Sequence, residues 1–549
     1  MPIDLIIRTN SLFTSIGDAS APGAVAISGD RIAAVGSPED VCALAGPETR
    51  VLDLGDAFVC PGFHDSHLHF TSSAIGRSRF AVFCEGDSPE ECADSLAAVA
   101  DERPRDEFMI GYGWRQGRWE DPISLPTKDV LDARWPDRPV VLQSGDCHNL
   151  WLNSAGLAKL GLTDASIPPA GGTYAKDADG HLTGIIQETA SMALVPQTMA
   201  GLSENEYLEA ARSFVRDLNA QGITSVCDMA LMALPGIEDL VRDRYYERLL
   251  DEGSLTVRMS LFPTALEDLS RARELRGRLG NNPYLRVGGL KQFFDGVSST
   301  HTAWLLDEYA NPYFPGDCGR PSIDPELMRR IVLAANAEGF AVRIHTIGDR
   351  AIRTALDIFE ESERVNGSLA YGHNGLEHLE GFAPGDMERL ASLDVVANVQ
   401  PPHATQDPDQ YERDLAEPRV QLMWPFASYV RLDARFSFGT DSPVVGIDSK
   451  NVIYDAVTRR DAVTKLPPDG WHTDECISAA EAVRAYTLGS AYACGREDEL
   501  GTLEAGKLAD ICVLSHDIVG TPDAPVDPEE ILTAEVLMTI VGGKIVYEA

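Results

Sequence analysis

The chain has 549 residues, 44% of them apolar, and its 85 acidic residues against 46 basic ones leave a formal charge of −39. That length exceeds one simple domain and leaves room for a large core. The acidic excess excludes nucleic acid and anionic membrane surfaces as partners, since both call for basic patches.

No segment approaches the roughly 20 apolar residues of a membrane span. Met1 to Arg8 carries no basic region leading into a long apolar stretch, so a cytoplasmic protein is expected. The ten cysteines show no C-x-x-C spacing and are expected to be reduced, with apolar-flanked Cys60, Cys227 and Cys512 as small core residues.

In chain order, residues 1–56 are short β-like runs, with a tight turn at Gly29-Asp30. The apolar run Ala57 to Cys60 leads into Pro61-Gly62-Phe63-His64-Asp65-Ser66-His67-Leu68-His69. Side chains two apart on a strand point the same way, so His67 and His69 can offer two imidazoles to one point. Neutral imidazole is a common ligand for divalent metals. His64 has the opposite parity and is not counted with them.

Residues 75 to about 190 do not divide into regular strand–helix units and read as a long insertion. Beyond them strand and helix alternate. Ser203 with Glu206 forms a capping box opening a helix to about Asn219, and Gly222 stops it. Ile223 to Val226 is then a strand. Asp324-Pro325 starts another helix that Gly339 ends, Asp349 is placed to cap a third, and Ser478 with Glu481 opens a fourth.

Four apolar strands along this stretch carry or end on metal-capable residues. They hold Lys291, His345, His378 and Asp441. Only eight of the 46 basic residues are lysines, which makes Lys291 in an apolar run conspicuous. The C-terminal runs Asp510 to Leu514, Val536 to Val541 and Ile545 to Tyr547 return to β character. Strand–helix alternation implies parallel pairing and right-handed crossovers. The fold expected is α/β, a (β/α)8 TIM-type barrel over residues 61–499 with the insertion at about 75–190 over its mouth. Residues 1–60 and 500–549 would form one composite β-sandwich.

The segments 61–69, Lys291-Gln292-Phe293-Phe294-Asp295-Gly296, Ile344 to Ala351, Glu377-His378, Gly439 to Val444 and Gly501 to Asp510 together resemble the amidohydrolase superfamily of metal-dependent hydrolases. Within it they are most similar to the branch containing N-substituted formamide deformylases. His64 departs from that pattern, where relatives usually carry an aliphatic residue.

The resemblance implies that His67, His69 and Asp441 hold one divalent ion and that His345 and His378 hold a second. Zinc is the first choice, with iron, manganese or nickel as alternatives. It also implies a carbamate on Lys291 as the anionic bridge. An ordinary ammonium has no acceptor, but burial frees a neutral amine able to take up carbon dioxide. The plain alternative is a lysine paired with Asp295, which is also the fallback acidic ligand or a substrate contact.

Asp441 would be the proton shuttle; a helix N-cap is its plain alternative. His148, Asp295, Trp114 and Arg320 are candidate substrate contacts. His301, His403, Tyr174 and Arg350 rank behind them, and His64, His181, His373, His472 and His516 are expected to be ordinary. The expected activity is hydrolysis of a linear non-peptide amide or N-substituted formamide. Alternatives are a cyclic amide or imide hydrolase, a lyase or isomerase on the same site, or a metal-free scaffold. The last would have lost ligands, whereas all six positions are filled. A homodimer is suggested by the resemblance alone.

Overall fold

The computed structural model describes residues 2–84, 86–120, 124–231 and 239–549. The class is α/β. Parallel strands run in sequence through Phe63–Leu68, Ile223–Met229, Arg258–Phe262 and Leu285–Val287, each paired with the next. A second parallel set follows in Leu290–Phe293, Val342–Thr346, Gly375–His378, Val396–Val399 and Phe436–Phe438. Parallel bridges Thr264–Lys291 and Leu68–Ser442 join the two sets at both edges. The strands are buried throughout apart from Val287 and Phe436, as a parallel sheet covered by helices requires.

The helices between them start where the chain supplies caps. Ser203 and Glu206 close a reciprocal capping box on Glu204–Ala220, and Ser478 and Glu481 do the same on Ala479–Arg484. Asp324 accepts from the N–H groups of Glu326 and Leu327 at the head of Pro325–Ala337. The helix Asp349–Asn366 differs from expectation. Gly348 is its N-cap, and Asp349 is its first residue, with a carboxylate turned away to accept from Leu306 N at 2.8 Å.

Both ends of the chain enter one eight-stranded sheet. The strand Leu5–Leu12 pairs antiparallel with Ala21–Ser28 on one side; on the other it pairs with Arg50–Asp53 over its first half and with Phe58–Pro61 over its second. Phe58–Pro61 pairs with Ile511–Leu514, which continues into Val536–Val541 and Lys544–Glu548. Apolar side chains from both halves, among them Ile7, Val25, Val59, Ile511 and Ile540, share one core. Arg258 ties this sheet to the parallel strands through a buried two-point ion pair with Asp510, at 2.6 and 2.8 Å.

The region 75–190 is more regular than its sequence suggests. It holds a six-stranded mixed sheet ordered Gly172–Lys176, Leu182–Glu188, Asn149–Leu152, Val140–Ser144, Met109–Trp114 and Ala81–Phe83. Trp114, Trp119 and Trp151 form its centre, with ring centroids 5.7 to 6.4 Å apart.

Candidate metal centre

The ligand candidates gather at the carboxyl ends of the parallel strands. His67 reaches that end on a strand with an irregular pairing. Asp65 lies opposite Val226 and Leu68 opposite Asp228, so two residues face one. Such a bulge re-aims side chains and breaks strict alternation. His69 follows the strand and precedes the helix Phe70–Gly76, whose first N–H donates to Asp228 at 2.9 Å. His378 ends its strand at φ +71°, and Asp441, three residues past the strand Phe436–Phe438, stands at φ +57°, left-handed conformations that non-glycine residues adopt only when the surroundings impose them.

Asp65 fixes the Asp441 loop to the His67 strand. Its carboxylate accepts from Thr440 N at 3.0 Å, Thr440 Oγ1 at 2.7 Å and His67 N at 3.1 Å. Burial nevertheless pushes its carboxyl up to about 6. Gly439 permits the close approach, since a Cβ there would lie 2.6 Å from His67 N.

The imidazoles are oriented from behind. His67 Nδ1 bonds Glu377, which Arg343 grips from the other side, with Nη2 donating at 3.0 Å. Burial alone would raise the Glu377 carboxyl, but Arg343 and His67 outweigh it and hold it at about 2. An ionised carboxylate makes Nδ1 of His67 the donor, the tautomer whose lone pair lies on Nε2. His69 Nδ1 likewise donates to the Met229 carbonyl at 2.7 Å. His345 Nε2 donates to the Gly296 carbonyl at 3.2 Å, leaving its Nδ1 free to coordinate. Burial lowers His69 and drives His345 and His378 well below the usual imidazole range, so these three are neutral.

The lone pairs of His67 and His69 thus point at an oxygen that can only accept. Nε2 of His67 is 3.3 Å and Nε2 of His69 is 3.2 Å from Asp441 Oδ1. His67 Nε2 and Asp441 Oδ1 are buried without a hydrogen bond among the described residues. His378 approaches Asp441 Oδ2 at 3.9 Å, and ligand atoms of His67, His378 and Asp441 lie within 4.8 Å of one another. Two imidazole nitrogens converging on one carboxylate oxygen could hold a divalent cation. His345 joins them, its ring 4.5 Å from that of His378. Lys291 is 1% exposed, and its Nζ, without a hydrogen-bond partner among the described residues, lies 4.6 Å from the Phe293 ring centre. Burial brings its amine down to about 8 against the pull of Glu377 and Asp441.

A cavity of ≈150 Å³ opens over Asp441, walled by Arg115, Asp146, His148 and Asn149 of the insertion and by Glu380, His403 and Tyr411. His148 bonds Glu188 at 2.7 Å; burial would neutralise it, but Glu188 prevails and raises it to about 9. Burial and the nearby Asp295 raise Glu380 to about 8, a protonated acid at neutral pH. His403 Nε2 is 4.0 Å from Asp441 Oδ2, and burial lowers that ring to about 4.

Other expected contacts lie elsewhere. Asp295 does not line the cavity. Its two oxygens accept from Ile347 N, Gly348 N and Trp304 N at 2.8 to 3.0 Å, and burial lifts it to about 7. Neither does it pair with Lys291. Arg320 is exposed and donates to Thr173 at 3.0 Å, while Arg350 donates to the Leu306 carbonyl at 2.8 Å. Trp114 borders the cavity, but its ring belongs to the insertion core and its Nε1 donates to the Leu142 carbonyl at 3.2 Å. Tyr174 packs against the main core without reaching the cavity. His301 bonds Asp317 at 2.7 Å and is stacked between Tyr309 and Tyr313.

The amidohydrolase family profile matches residues 50–547. The chain belongs to the amidohydrolase family. It is 30% identical to protein LONG AFTER FAR-RED 3 of Arabidopsis thaliana over 99% of this chain and 91% of that one. It is 28% identical to the N-substituted formamide deformylase of Arthrobacter pascens over 99% and 98%. A solved structure from Pyrococcus furiosus, an uncharacterized metal-dependent hydrolase, superposes with a TM-score of 0.69 at 26% identity, covering 93% of this chain and 99% of its own. As an amidohydrolase, the chain is a metal-dependent hydrolase acting on carbon–nitrogen bonds.

Glu377, Arg343, Asp65, Glu188 and Glu380 escape the sequence reading. For the first two a signal exists. Arg343 and Glu377 are opposite charges set in two successive apolar strands, where neither survives unpaired. Glu188 and Glu380 have no comparable mark.

Proposed function

We propose that this amidohydrolase cleaves a linear, non-peptide carbon–nitrogen bond, with an N-substituted formamide or simple amide as substrate. The observation that carries the reading is Asp441 Oδ1 at 3.2 and 3.3 Å from two imidazole lone pairs, at the floor of the cavity. The 28% identity to a formamide deformylase across nearly the whole of both chains supports the substrate class. The parallel pairings and the Leu68–Ser442 bridge support a closed (β/α)8 barrel, with residues 1–60 and 500–549 as a composite β-sandwich and 75–190 as an insertion.

In this reading His67, His69 and Asp441 hold one divalent ion, zinc by first choice, and His345 and His378 hold another. Lys291, its amine favoured by burial, would take up carbon dioxide: Nζ bonds to carbon, a proton leaves, and the carbamate would supply negative charge to help hold the ions. Ions held there would acidify water and draw electron density from a substrate carbonyl. Asp441 accepts the proton released as water adds to the carbonyl carbon, then returns it to the nitrogen as the C–N bond breaks. His148, kept cationic by Glu188, donates toward the negative charge gathering on the carbonyl oxygen.

Amine release from N-substituted formamides and linear amides, run beside ring opening of cyclic imides, tests this. Turnover of a linear member is the expected result. Ring opening alone would overturn it.

A further inference from the structure

A second group of metal-capable side chains lies deeper in the molecule and lines neither the cavity nor the ligand set above. His64 Nε2 is 3.6 Å from Cys227 Sγ and 3.9 Å from Cys494 Sγ. All three residues are buried, and their ligand atoms lie within 4.8 Å of one another. They come from distant parts of the chain. His64 stands on Phe63–Leu68, Cys227 on the paired strand Ile223–Met229, and Cys494 follows the short helix Ser490–Ala493. Cys227, Met229, Phe262 and Cys494 form an apolar cluster of their own.

Hydrogen bonding does not account for the histidine. Its Nδ1 is buried with no partner among the described residues, so the ring is held from one side only, by two sulfurs. An imidazole nitrogen left bare in a core costs free energy that an aliphatic side chain would not. The spacing fits a shared ion. With metal–sulfur and metal–nitrogen bonds of about 2.3 and 2.0–2.1 Å at tetrahedral angles, nitrogen and sulfur ligands stand about 3.6 Å apart. The measured separations of 3.6 and 3.9 Å match. Charge matches as well, because two thiolates neutralise a divalent ion, and the neighbouring Arg343–Glu377 pair is already balanced.

We propose that His64, Cys227 and Cys494 bind a zinc-type divalent ion in a structural site, linking the first two parallel strands to the C-terminal helices. This site does not depend on the activity proposed above. The ion replaces one proton on each sulfur and takes the Nε2 lone pair of His64.

The test uses the full-length protein produced in cobalt-supplemented medium, because thiolate ligands give cobalt(II) a charge-transfer absorption in the near ultraviolet that nitrogen and oxygen ligands lack. Cys147, which faces a small pocket beside His69 and His345, is the one cysteine near the catalytic ligands and serves as the control. The expected result is a sulfur–cobalt band in the unaltered protein and in Cys147→Ser. The band should be lost, with about one equivalent of metal per chain, in Cys494→Ser. His64→Leu keeps both thiols in an apolar setting and should lose the band while remaining folded by circular dichroism. An unaltered protein without the band, a band that survives His64→Leu, or a Cys227–Cys494 disulfide in the intact mass would each overturn the proposal. None of these readouts depends on turnover or substrate, so their failure is distinct from failure of the proposed hydrolysis.

Discussion

Asp441 is held from several directions. Four histidines, His67, His69, His378 and His403, approach its carboxylate within 4.0 Å, and Asp65 holds the residue before it. Asp441→Asn keeps an oxygen toward the ligands but removes the base, so kcat should fall by about 10²- to 10⁴-fold while bound metal, measured by mass spectrometry, stays largely in place. Lys291→Ala should abolish most turnover, and a short carboxylic acid in the buffer should restore part of it; full activity in the variant would remove Lys291 from the site. Glu377→Gln acts one step back. The neutral amide no longer fixes the His67 tautomer, and metal affinity should drop roughly 10- to 100-fold in a chelator competition. The six ligand candidates could be singled out in the sequence because His, Lys and Asp stand out in or just after apolar runs. Of the supporting residues, Arg343 and Glu377 left a mark as opposite charges in apolar strands, whereas Asp65, Glu188 and Glu380 are recognisable only by the partners that folding brings to them.

At the level of single elements, local rules were reliable where the signal was local. The capping boxes at Ser203 and Ser478 formed as written, because cap and helix lie within four residues. Asp349 went astray through a tertiary competitor, the Leu306 N–H, which took the carboxylate from the helix end. The insertion resisted reading for a related reason. Its sheet mixes parallel and antiparallel neighbours, and its three packed tryptophans come from segments that give no period-two pattern. Gly439 tests the contact between two elements. Gly439→Ala drives a methyl to 2.6 Å from the His67 backbone, which cannot give way without moving His67. Metal content and kcat should both fall at least about 10-fold, with the far-ultraviolet circular dichroism unchanged.

Across the whole molecule, a few buried charges tie the parts together. Arg258–Asp510 joins the parallel strands to the terminal sheet, and removing one partner leaves the other bare in the core. Asp510→Ala should cost about 3–5 kcal/mol, read as a lower midpoint in urea. His373 makes a second tie, between Asp394 and Glu497 and against the Tyr492 ring. Burial opposes its charge, but the two carboxylates win and raise it to about 9. A raised histidine stabilises the fold fully below its unfolded value of about 6.5, and that stability is lost as pH rises through about 9. Tm should therefore decline across this window, and His373→Asn should flatten the decline. The β-rich ends and the alternating middle were readable from periodicity, whereas these ties, formed between residues far apart in sequence, were not.

The strand Phe58–Pro61 is synthesised long before its neighbour Ile511–Leu514. Until the second strand emerges, an apolar edge with unpaired amides stays open on the first. Completion of that sheet thus waits for residues 511–514, and a chain cut between residues 495 and 510 would display a sticky seam to its neighbours. Such truncated products should be recovered from inclusion bodies and not from the supernatant, even though every metal-ligand candidate is present in them.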